Sequence, residues 1–219
     1  MRIYVDSAER DAIRAALAMG WVWGVTTNPT LLRRAGVRTG DVPGLVRDAL
    51  AAGARELHLQ TYSDDAAGMV AEGRELAALD PVRRRVVVKI PATAAGYVAA
   101  RQLVARGLRV TLTAVYTVRQ AILADAVGAA YVAVYLGRVR DAGDDPLALV
   151  GAMQQALAAA GSGMAILAAS VRDGTEIEAL APLGIATVTL PPAVLHTLLD
   201  SPATAAAATT FLDDARAIR

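Results

Sequence analysis

One residue stands out for the chemistry that it can perform, because Lys89 is the only lysine among 219 residues and 22 basic side chains. All the other basic residues are arginines, whose guanidinium groups stay protonated and cannot act as amine nucleophiles. A bias against lysine could leave a single one anywhere, but Lys89 lies in the apolar run VVVKIP, which is typical of a buried strand. Its type and position together make Lys89 a candidate for covalent chemistry.

Polar side chains stand at the ends of most of the short apolar runs. Seven of eight runs end in such groups, namely Asp6, Thr26 to Asn28, Gln60, Lys89, Thr113, Tyr135 to Arg138, and Ser170 with Arg172. The eighth run ends in Thr189-Leu190-Pro191 and is expected to add little. If these ends meet at one edge of a sheet, the polar groups surround the Lys89 amine.

Each group also has a structural interpretation when it is taken alone. Asn28 before Pro29, and Asp6 before Ser7, stand where helix caps are common. Further alternatives are bonds to buried main-chain groups for Thr113 and Gln60, a bonded core hydroxyl for Tyr135, and rim ion pairs for Arg138 and Arg172. The shared position around one amine favours the functional interpretation.

An amine inside a ring of hydroxyl and amide groups suits Schiff-base catalysis. The amine must be deprotonated to attack a carbonyl, and burial beside other cations lowers a lysine pKa towards roughly 7–8. The resulting iminium withdraws electrons, so an adjacent carbon–carbon bond can break or form. Arg138 and Arg172, near the ends of consecutive runs, are suited to binding a phosphate through paired hydrogen bonds.

Other classes of function are disfavoured. With no cysteine, the chain has no disulfide, thiolate zinc site, iron–sulfur cluster or cysteine nucleophile. His58 and His196 are the only histidines and lack partners at metal-ligand spacing, so we expect no histidine-rich metal site. We also expect no cofactor. We expect His58 to face helices or the rim, and His196 to lie in the apolar pattern of a helix. A net charge of +1 argues against nucleic acid and anionic membrane partners.

The elements that must position these groups alternate regularly along the chain. Short runs rich in valine, isoleucine and threonine predict eight buried strands: Ile3–Asp6, Gly24–Thr27, Glu56–Thr61, Val86–Pro91, Arg109–Ala114, Tyr131–Leu136, Met164–Ser170 and Ile185–Leu190. Helix starts are predicted at Ser63-Asp64-Asp65, Asp145-Pro146, a capping box at Thr175–Glu178, and Ser201-Pro202. Helix ends are predicted at Gly20, Gly53, Gly107 and Gly161.

Eight strand–helix units without a linker predict a single (β/α)8 TIM barrel domain over residues 1–219. A doubly wound open sheet is the alternative, but the chain has neither GxGxxG nor GxxxxGK[ST]. Residues 202–218 form one helix more than a barrel needs, and we expect it to pack on the outside of the barrel or on a neighbouring subunit. The run Arg83-Arg84-Arg85 is expected at a solvated or interfacial edge. The charged start MRIYVDSAER and the absence of an apolar run of roughly 18 residues predict a cytoplasmic protein.

Five segments also resemble the short, single-barrel branch of the transaldolase family: GVTTNPTLL (24–32), VVVKIPAT (86–93), TLTAVYT (111–117), YVAVYLGR (131–138) and ILAASVR (166–172). The resemblance runs in order through effectively the whole chain. It implies a (β/α)8 barrel, Schiff-base aldol chemistry on sugar phosphates and hydroxyketones without a metal, and ring-stacked homodecamers whose C-terminal helix reaches a neighbour.

The resemblance assigns roles residue by residue. Lys89 matches the Schiff-base lysine, and Asp6 matches an aspartate that handles protons and binds a substrate hydroxyl. The remaining matches are hydroxyl-binding groups at Thr26, Asn28 and Ser170 and phosphate-binding groups at Arg138 and Arg172.

Two activities of the branch compete. Transaldolases resemble one another in having glutamate at the position of Gln60 and phenylalanine at that of Tyr135, whereas fructose-6-phosphate aldolases are similar to this chain at both. In the aldolase pattern Gln60, Thr113 and Tyr135 hold the catalytic water, and the Tyr135 hydroxyl transfers protons. The resemblance therefore favours cleavage of fructose 6-phosphate to dihydroxyacetone and glyceraldehyde 3-phosphate, with transaldolase as the alternative.

Some residues depart from the aldolase pattern. Leu136-Gly137 is closer to the transaldolase form, and Arg140-Asp141 stands where the family often has paired acids, so acceptor preference stays open. A barrel that has lost catalysis and serves as an oligomeric scaffold is the alternative from another class. Such a scaffold predicts damage to the polar ring, and the sequence shows none.

Overall fold

Eight short parallel strands pair side by side in the order of the sequence, and the last pairs with the first to close a barrel. This computed structural model describes residues 1–82 and 84–219, so Arg83 of the arginine run lies outside the described residues. The strands are β1 (Arg2–Asp6), β2 (Val22–Thr26), β3 (Glu56–Gln60), β4 (Val86–Pro91), β5 (Val110–Val115), β6 (Tyr131–Tyr135), β7 (Ala165–Ala169) and β8 (Thr187–Leu190). The predicted barrel is confirmed, and the open sheet is excluded because an open sheet leaves two unpaired edges.

Helices follow the strands on the outside of the barrel. They are α1 (Arg10–Ala18), α2 (Pro29–Arg34), α3 (Val42–Ala51), α4 (Ala66–Ala78), α5 (Ala94–Val104), α6 (Val118–Ala126), α7 (Leu136–Asp141), α8 (Pro146–Ala159), α9 (Glu176–Leu180), α10 (Pro192–Thr197) and α11 (Pro202–Ala217). Buried aliphatic side chains of both layers pack between strands and helices, as at Ile90 and Leu103. In the described part of the chain, no helix is both long and apolar enough to cross a membrane.

Most of the predicted helix boundaries are confirmed. Asp145 accepts hydrogen bonds from the main chain of α8, and Asp65 and Ser201 cap α4 and α11 in the same way. The four predicted glycine ends all have positive φ, at Gly20, Gly53, Gly107 and Gly161. The capping box at Thr175–Glu178 is wrong, because the Thr175 hydroxyl donates to Asp173 instead of capping α9.

His58 lies inside the barrel, and the expectation that it faces helices or the rim is wrong. Strand side chains alternate between the two faces of the sheet, so packing of Leu57 and Leu59 against the outer layer turns His58 inward, where it is fully buried. His196 is exposed on α10 and does not belong to an apolar face.

A buried polar network fills the barrel below the strand ends. His58 Nε2 lies 3.0 Å from Glu56 Oε1 and its Nδ1 lies 2.9 Å from Thr111 Oγ1. A carboxylate only accepts, so Nε2 carries the proton and Nδ1 accepts from Thr111. Burial lowers the His58 pKa. Burial opposes ionisation of Glu56, but bonds from His58 and Arg109 prevail and lower its pKa to about 2.

The C-terminal helix α11 projects from the barrel with almost no packing against it. Nearly all of its residues are exposed, and Phe211 and Leu212 expose 69% and 53% of their surface. Ile218, directly after the helix, exposes 87%. An apolar surface of this kind is unusual for a helix that has no partner.

Candidate active site

A cavity of about 520 Å³ opens at the carboxyl ends of the strands, where the predicted groups converge. Eight of the ten predicted site residues line it: Asp6, Asn28, Gln60, Lys89, Tyr135, Arg138, Ser170 and Arg172. Thr26 and Thr113 are buried behind this lining and touch it through hydrogen bonds to Asp6 and Tyr135. Parallel strands in a closed barrel bring their carboxyl ends to the same face, which explains the convergence.

Lys89 lies in the wall of the cavity, near the end of β4. It exposes only 4% of its surface, and its Nζ donates a 3.0 Å hydrogen bond to the main-chain carbonyl of Thr27. Burial lowers the Lys89 pKa, and the nearby Asp6 carboxylate opposes the shift. This amine has a larger neutral fraction than a solvated lysine, so it is suited to attack a carbonyl carbon.

Asp6 at the end of β1 is held by a chain of hydroxyl groups. Thr26 Oγ1 donates to Asp6 Oδ1 over 2.6 Å, and Thr189 Oγ1 lies 2.6 Å from Thr26 Oγ1. Burial raises the Asp6 pKa, whereas Lys89 and Thr26 lower it. The alternative that Asp6-Ser7 caps α1 is wrong, since the cap position is Glu9 and no side chain caps the helix; the Ser7 hydroxyl accepts from the Glu9 main chain just before it.

The expectation that the end of β8 adds little is also wrong. Thr189 lines the cavity and completes the hydroxyl chain behind Asp6. The alternation in TVTL carries a usable signal, because Thr187 and Thr189 must share one face of the strand.

Tyr135 and Thr113 form a hydroxyl pair across β5 and β6. Their oxygens lie 3.1 Å apart, and burial raises the Tyr135 pKa. The register of β5 and β6 shifts between Leu112 and Val115, within which Ala114 has φ of 58°. Strained backbone of this kind is common beside functional groups. Gln60 lies on the other side of Lys89 and pairs with it in register.

Ser170 lies at the end of β7 in a left-handed conformation, with φ of 58°. The main-chain N–H of Gly137 stabilises it by donating to the Ser170 carbonyl over 3.0 Å. A Cβ on Gly137 would lie 2.6 Å from that carbonyl oxygen and 2.7 Å from Ser170 Oγ. Only glycine at position 137 leaves Ser170 this place beside the cavity.

Asn28 combines its two predicted roles. Its Oδ1 accepts from the main chain of Leu31 over 3.0 Å and caps α2. The side chain also lines the cavity, so its amide NH₂ group is the part that the cap does not use. The helix cap orients the amide and is compatible with ligand binding.

Arginines surround the mouth of the cavity. Arg138 on α7 and Arg172 after β7 line it, as does Arg34 on α2, which the sequence did not single out. Arg172 forms a two-bond ion pair with Asp141, so the rim-pair alternative is confirmed for this residue. In residues 1–82 and 84–219, no three His, Cys, Asp or Glu side chains are grouped so that they could hold a metal ion.

Comparison with known proteins gives one sequence family. Residues 3–218 match the profile described as "Transaldolase/Fructose-6-phosphate aldolase". A "Probable transaldolase" from Pelotomaculum thermopropionicum is 35% identical over 214 residues, covering 98% of this chain and 97% of that protein. Proteins of the same name from Heliobacterium modesticaldum (35% over 219 residues, 100% and 99% covered) and an Exiguobacterium species (37% over 218 residues, 98% and 97% covered) are similarly related.

Solved structures of other proteins have a similar fold. A mandelate oxidase mutant with a monooxide FMN adduct matches with a TM-score of 0.59 and 17% identity, over 90% of this chain and 66% of that one. A second mandelate oxidase structure has a TM-score of 0.60 at 16% identity, over 90% and 67% of the two chains. At such low identity the likeness shows a shared barrel and nothing about activity.

Proposed function

The chain belongs to the transaldolase/fructose-6-phosphate aldolase family, and from this we propose that it transfers a dihydroxyacetone unit between sugar phosphates through a Schiff base on Lys89. The observation that carries the proposal is the only lysine of the chain, whose amine is buried in the cavity wall, bonded to the Thr27 carbonyl, and influenced by the charge of Asp6. The names of the relatives favour transfer over release of free dihydroxyacetone.

The first step makes the electron-withdrawing iminium. The neutral Lys89 amine attacks the ketone carbon of the donor sugar, and one of its two protons moves to the ketone oxygen. An acid supplies a second proton to that oxygen, which leaves as water, and the iminium nitrogen keeps the remaining proton. Burial keeps part of the amine population neutral, and the bond to Thr27 holds the nitrogen at the cavity wall. We assign the hydroxyls of the three-carbon unit to Asn28 and Ser170, which line the same cavity.

The second step breaks the carbon–carbon bond. A base removes the proton of the hydroxyl on the fourth carbon, that oxygen forms the aldehyde carbonyl, and the bond electrons move into the iminium to give an enamine. We assign the base to Asp6, because the hydroxyl chain from Thr26 and Thr189 orients its carboxylate beside Lys89. A carboxyl group whose pKa is raised by burial accepts this proton more readily than a solvated one.

In the transfer reaction, the enamine carbon attacks the aldehyde carbon of an acceptor, and the new alkoxide takes the proton back from Asp6. Water then hydrolyses the iminium to release the product ketose and the Lys89 amine. We assign the phosphate of donor and acceptor to Arg138 and Arg172 at the mouth.

A second candidate function is cleavage of fructose 6-phosphate to free dihydroxyacetone and glyceraldehyde 3-phosphate. The pairing of Tyr135 with Thr113 favours it, because a phenolic hydroxyl can protonate the enamine carbon and so end the reaction without an acceptor. Gln60, which neighbours Lys89 in register, is an amide that can hold the water for hydrolysis. The two functions share every step up to the enamine.

Product analysis separates them. We expect fructose 6-phosphate alone to give no accumulating dihydroxyacetone, and added erythrose 4-phosphate to give sedoheptulose 7-phosphate. Dihydroxyacetone accumulating without an acceptor would identify the aldolase instead. The matched control is Lys89→Met, which keeps an unbranched side chain, one atom shorter, and has no amine.

Borohydride reduction in the presence of fructose 6-phosphate tests the shared chemistry. We expect a covalent adduct on the wild-type protein at Lys89 and none in Lys89→Met. If the wild type neither forms an adduct nor turns over either substrate mixture, Schiff-base catalysis is contradicted and a non-catalytic barrel is favoured.

We propose further that residues 202–218 pack on a neighbouring subunit of a homo-oligomer, a decamer by the family resemblance. The exposed apolar groups of Phe211, Leu212 and Ile218 support this, because a monomer would leave them in water.

A further inference from the structure

At the mouth of the cavity, a carboxylate of the protein itself is bound to one of the arginines. Asp141, at the end of α7, accepts from Arg172 through both of its oxygens, over 2.8 Å from Nη1 and 2.6 Å from Nη2. The same helix carries Arg138, which lines the cavity together with Arg172. The bond from Arg172 lowers the Asp141 pKa, and the charges of Arg138 and Arg140 add to the effect, so Asp141 stays ionised.

This geometry is the one that a phosphate would need. Two parallel N–H···O bonds from the terminal nitrogens of a guanidinium are the common way in which arginine binds either a carboxylate or a phosphate. The third nitrogen of Arg172 is turned towards the main chain, since a Cβ on Gly137 would lie 2.8 Å from Nε. The edge formed by Nη1 and Nη2 is therefore the edge open to a ligand, and Asp141 already uses it.

We propose that Asp141 is a specificity-determining residue that competes with the substrate phosphate for Arg172. The proposal rests on the proposed function, which assigns the phosphate to Arg138 and Arg172. A phosphorylated sugar must displace Asp141 to bind with both arginines, whereas an unphosphorylated aldehyde leaves the pair intact. The competition therefore reduces the difference in KM between phosphorylated and neutral acceptors.

Displacement is feasible because the ion pair is exposed. The side chains of Arg172 and Asp141 expose 51% and 50% of their surface, and water and salt weaken such pairs. The neighbouring pair of Arg140 with Glu176 lies on the same rim but uses a different arginine. Glu176 also accepts from the main chain of Arg172, so the loop stays in place when Asp141 moves away.

The test compares wild type with Asp141→Asn and Asp141→Ala, using saturating fructose 6-phosphate as donor. We expect the KM for erythrose 4-phosphate to fall about two- to fivefold relative to the KM for unphosphorylated erythrose, because loss of an exposed ion pair is a small effect. Two variants are needed since asparagine can still accept one bond from Arg172. A phosphate-selective rise in KM, or an unchanged ratio in both variants, would overturn the proposal and make Asp141 a support for Arg172.

Glu176→Gln is the matched control. It removes the same charge from the same rim and retains an oxygen for the main-chain bonds, so a purely long-range charge effect would change its KM ratio as much as that of Asp141→Asn.

Direct binding separates this proposal from the proposed function. Titration calorimetry with inorganic phosphate at constant ionic strength needs no turnover, and we expect the Asp141 variants to bind phosphate more tightly than wild type. If the wild type forms no borohydride adduct, the proposed function fails, while the phosphate affinities still decide the role of Asp141. Equal or weaker phosphate affinity in both variants would contradict it.

Discussion

The Lys89 amine donates a 3.0 Å hydrogen bond to the main-chain carbonyl of Thr27, across the β2–β4 side of the barrel. The bond holds the nitrogen in place in both of its protonation states, because ammonium and neutral amine can each donate. A neutral amine held in this way keeps its lone pair for attack on a carbonyl. The burial that accompanies the contact, opposed by Asp6, sets the pH at which the lone pair is free.

The pH dependence of Schiff-base formation follows from this contact. Burial lowers the Lys89 pKa from its ordinary value of 10.5, so the neutral amine is populated at lower pH than in a solvated lysine. We expect the rate of borohydride trapping to rise with pH through a midpoint clearly below 10.5. A midpoint at the ordinary value would contradict the effect of burial. Asp6→Asn removes the opposing charge and is expected to move the midpoint lower still.

Replacing Tyr135 tests the second candidate function. We expect Tyr135→Phe to reduce any release of free dihydroxyacetone by about 10²-fold, the usual contribution of a positioned proton donor. Transfer to erythrose 4-phosphate is expected to fall much less, since transfer does not require protonation of the enamine carbon. Tyr116→Phe is the control, because Tyr116 makes only an edge contact with Tyr135. Equal loss of both reactions in Tyr135→Phe would argue for a positioning role.

The position of Ser170 depends on Gly137 having no side chain. We expect Gly137→Ala to lower the free energy of unfolding by about 1–3 kcal/mol, as overpacking does, and to raise the KM for sugar phosphates. The reason is that its Cβ would meet Ser170 and Arg172. Chemical denaturation and steady-state kinetics measure the two effects. Gly163→Ala, whose Cβ would meet nothing within 4 Å, should change neither.

The buried Glu56 network predicts an acid-sensitive stability. Glu56 has a pKa of about 2 in the folded chain against 4.5 ordinarily, so its contribution is complete above about pH 4.5 and is lost as the pH falls towards 2. We expect Glu56→Gln to lose on the order of 1–3 kcal/mol at pH 7, a figure reduced because its partner Arg109 is partly exposed. In urea unfolding, the difference in unfolding free energy between wild type and Glu56→Gln should disappear as the pH falls from about 4.5 towards 2.

An exposed glutamate supplies the comparison for this pH series. The comparison variant is Glu75→Gln, because Glu75 is exposed on the surface of α4, outside the barrel interior. A gap between wild type and Glu56→Gln that stays constant from pH 7 to acid would mean that packing, not charge, gives Glu56 its effect.

The apolar surface of α11 predicts an assembly. We expect Phe211→Asp to reduce the molar mass measured by light scattering, because a charge would replace an exposed apolar side chain at the proposed contact. Thr209→Asp is the control on the other side of the same helix, about 200° away. An unchanged mass in Phe211→Asp, or a monomeric wild type, would contradict packing of α11 on a neighbour.

The sequence by itself determined the barrel and most of its candidate site. Eight short apolar runs separated by helical patterns predict alternating strands and helices, and in a closed parallel sheet every strand ends at the same face. The positions of Lys89, Gln60 and Tyr135 therefore follow from where their runs stop. The bias against lysine also identified the candidate nucleophile, because Lys89 carries the only side-chain amine of the chain.

Only the tertiary structure decided which side chains meet. His58 stands in an apolar run whose facing cannot be read from local pattern, and packing of its neighbours against the helices turned it inward. The pairing of Arg172 with Asp141 joins the loop after β7 to the end of α7, 31 residues apart in the chain. The closeness of Gly137 to Ser170 likewise depends on the pairing of β6 with β7. Contacts of this kind are set by strand register and loop path, which a local sequence pattern does not encode.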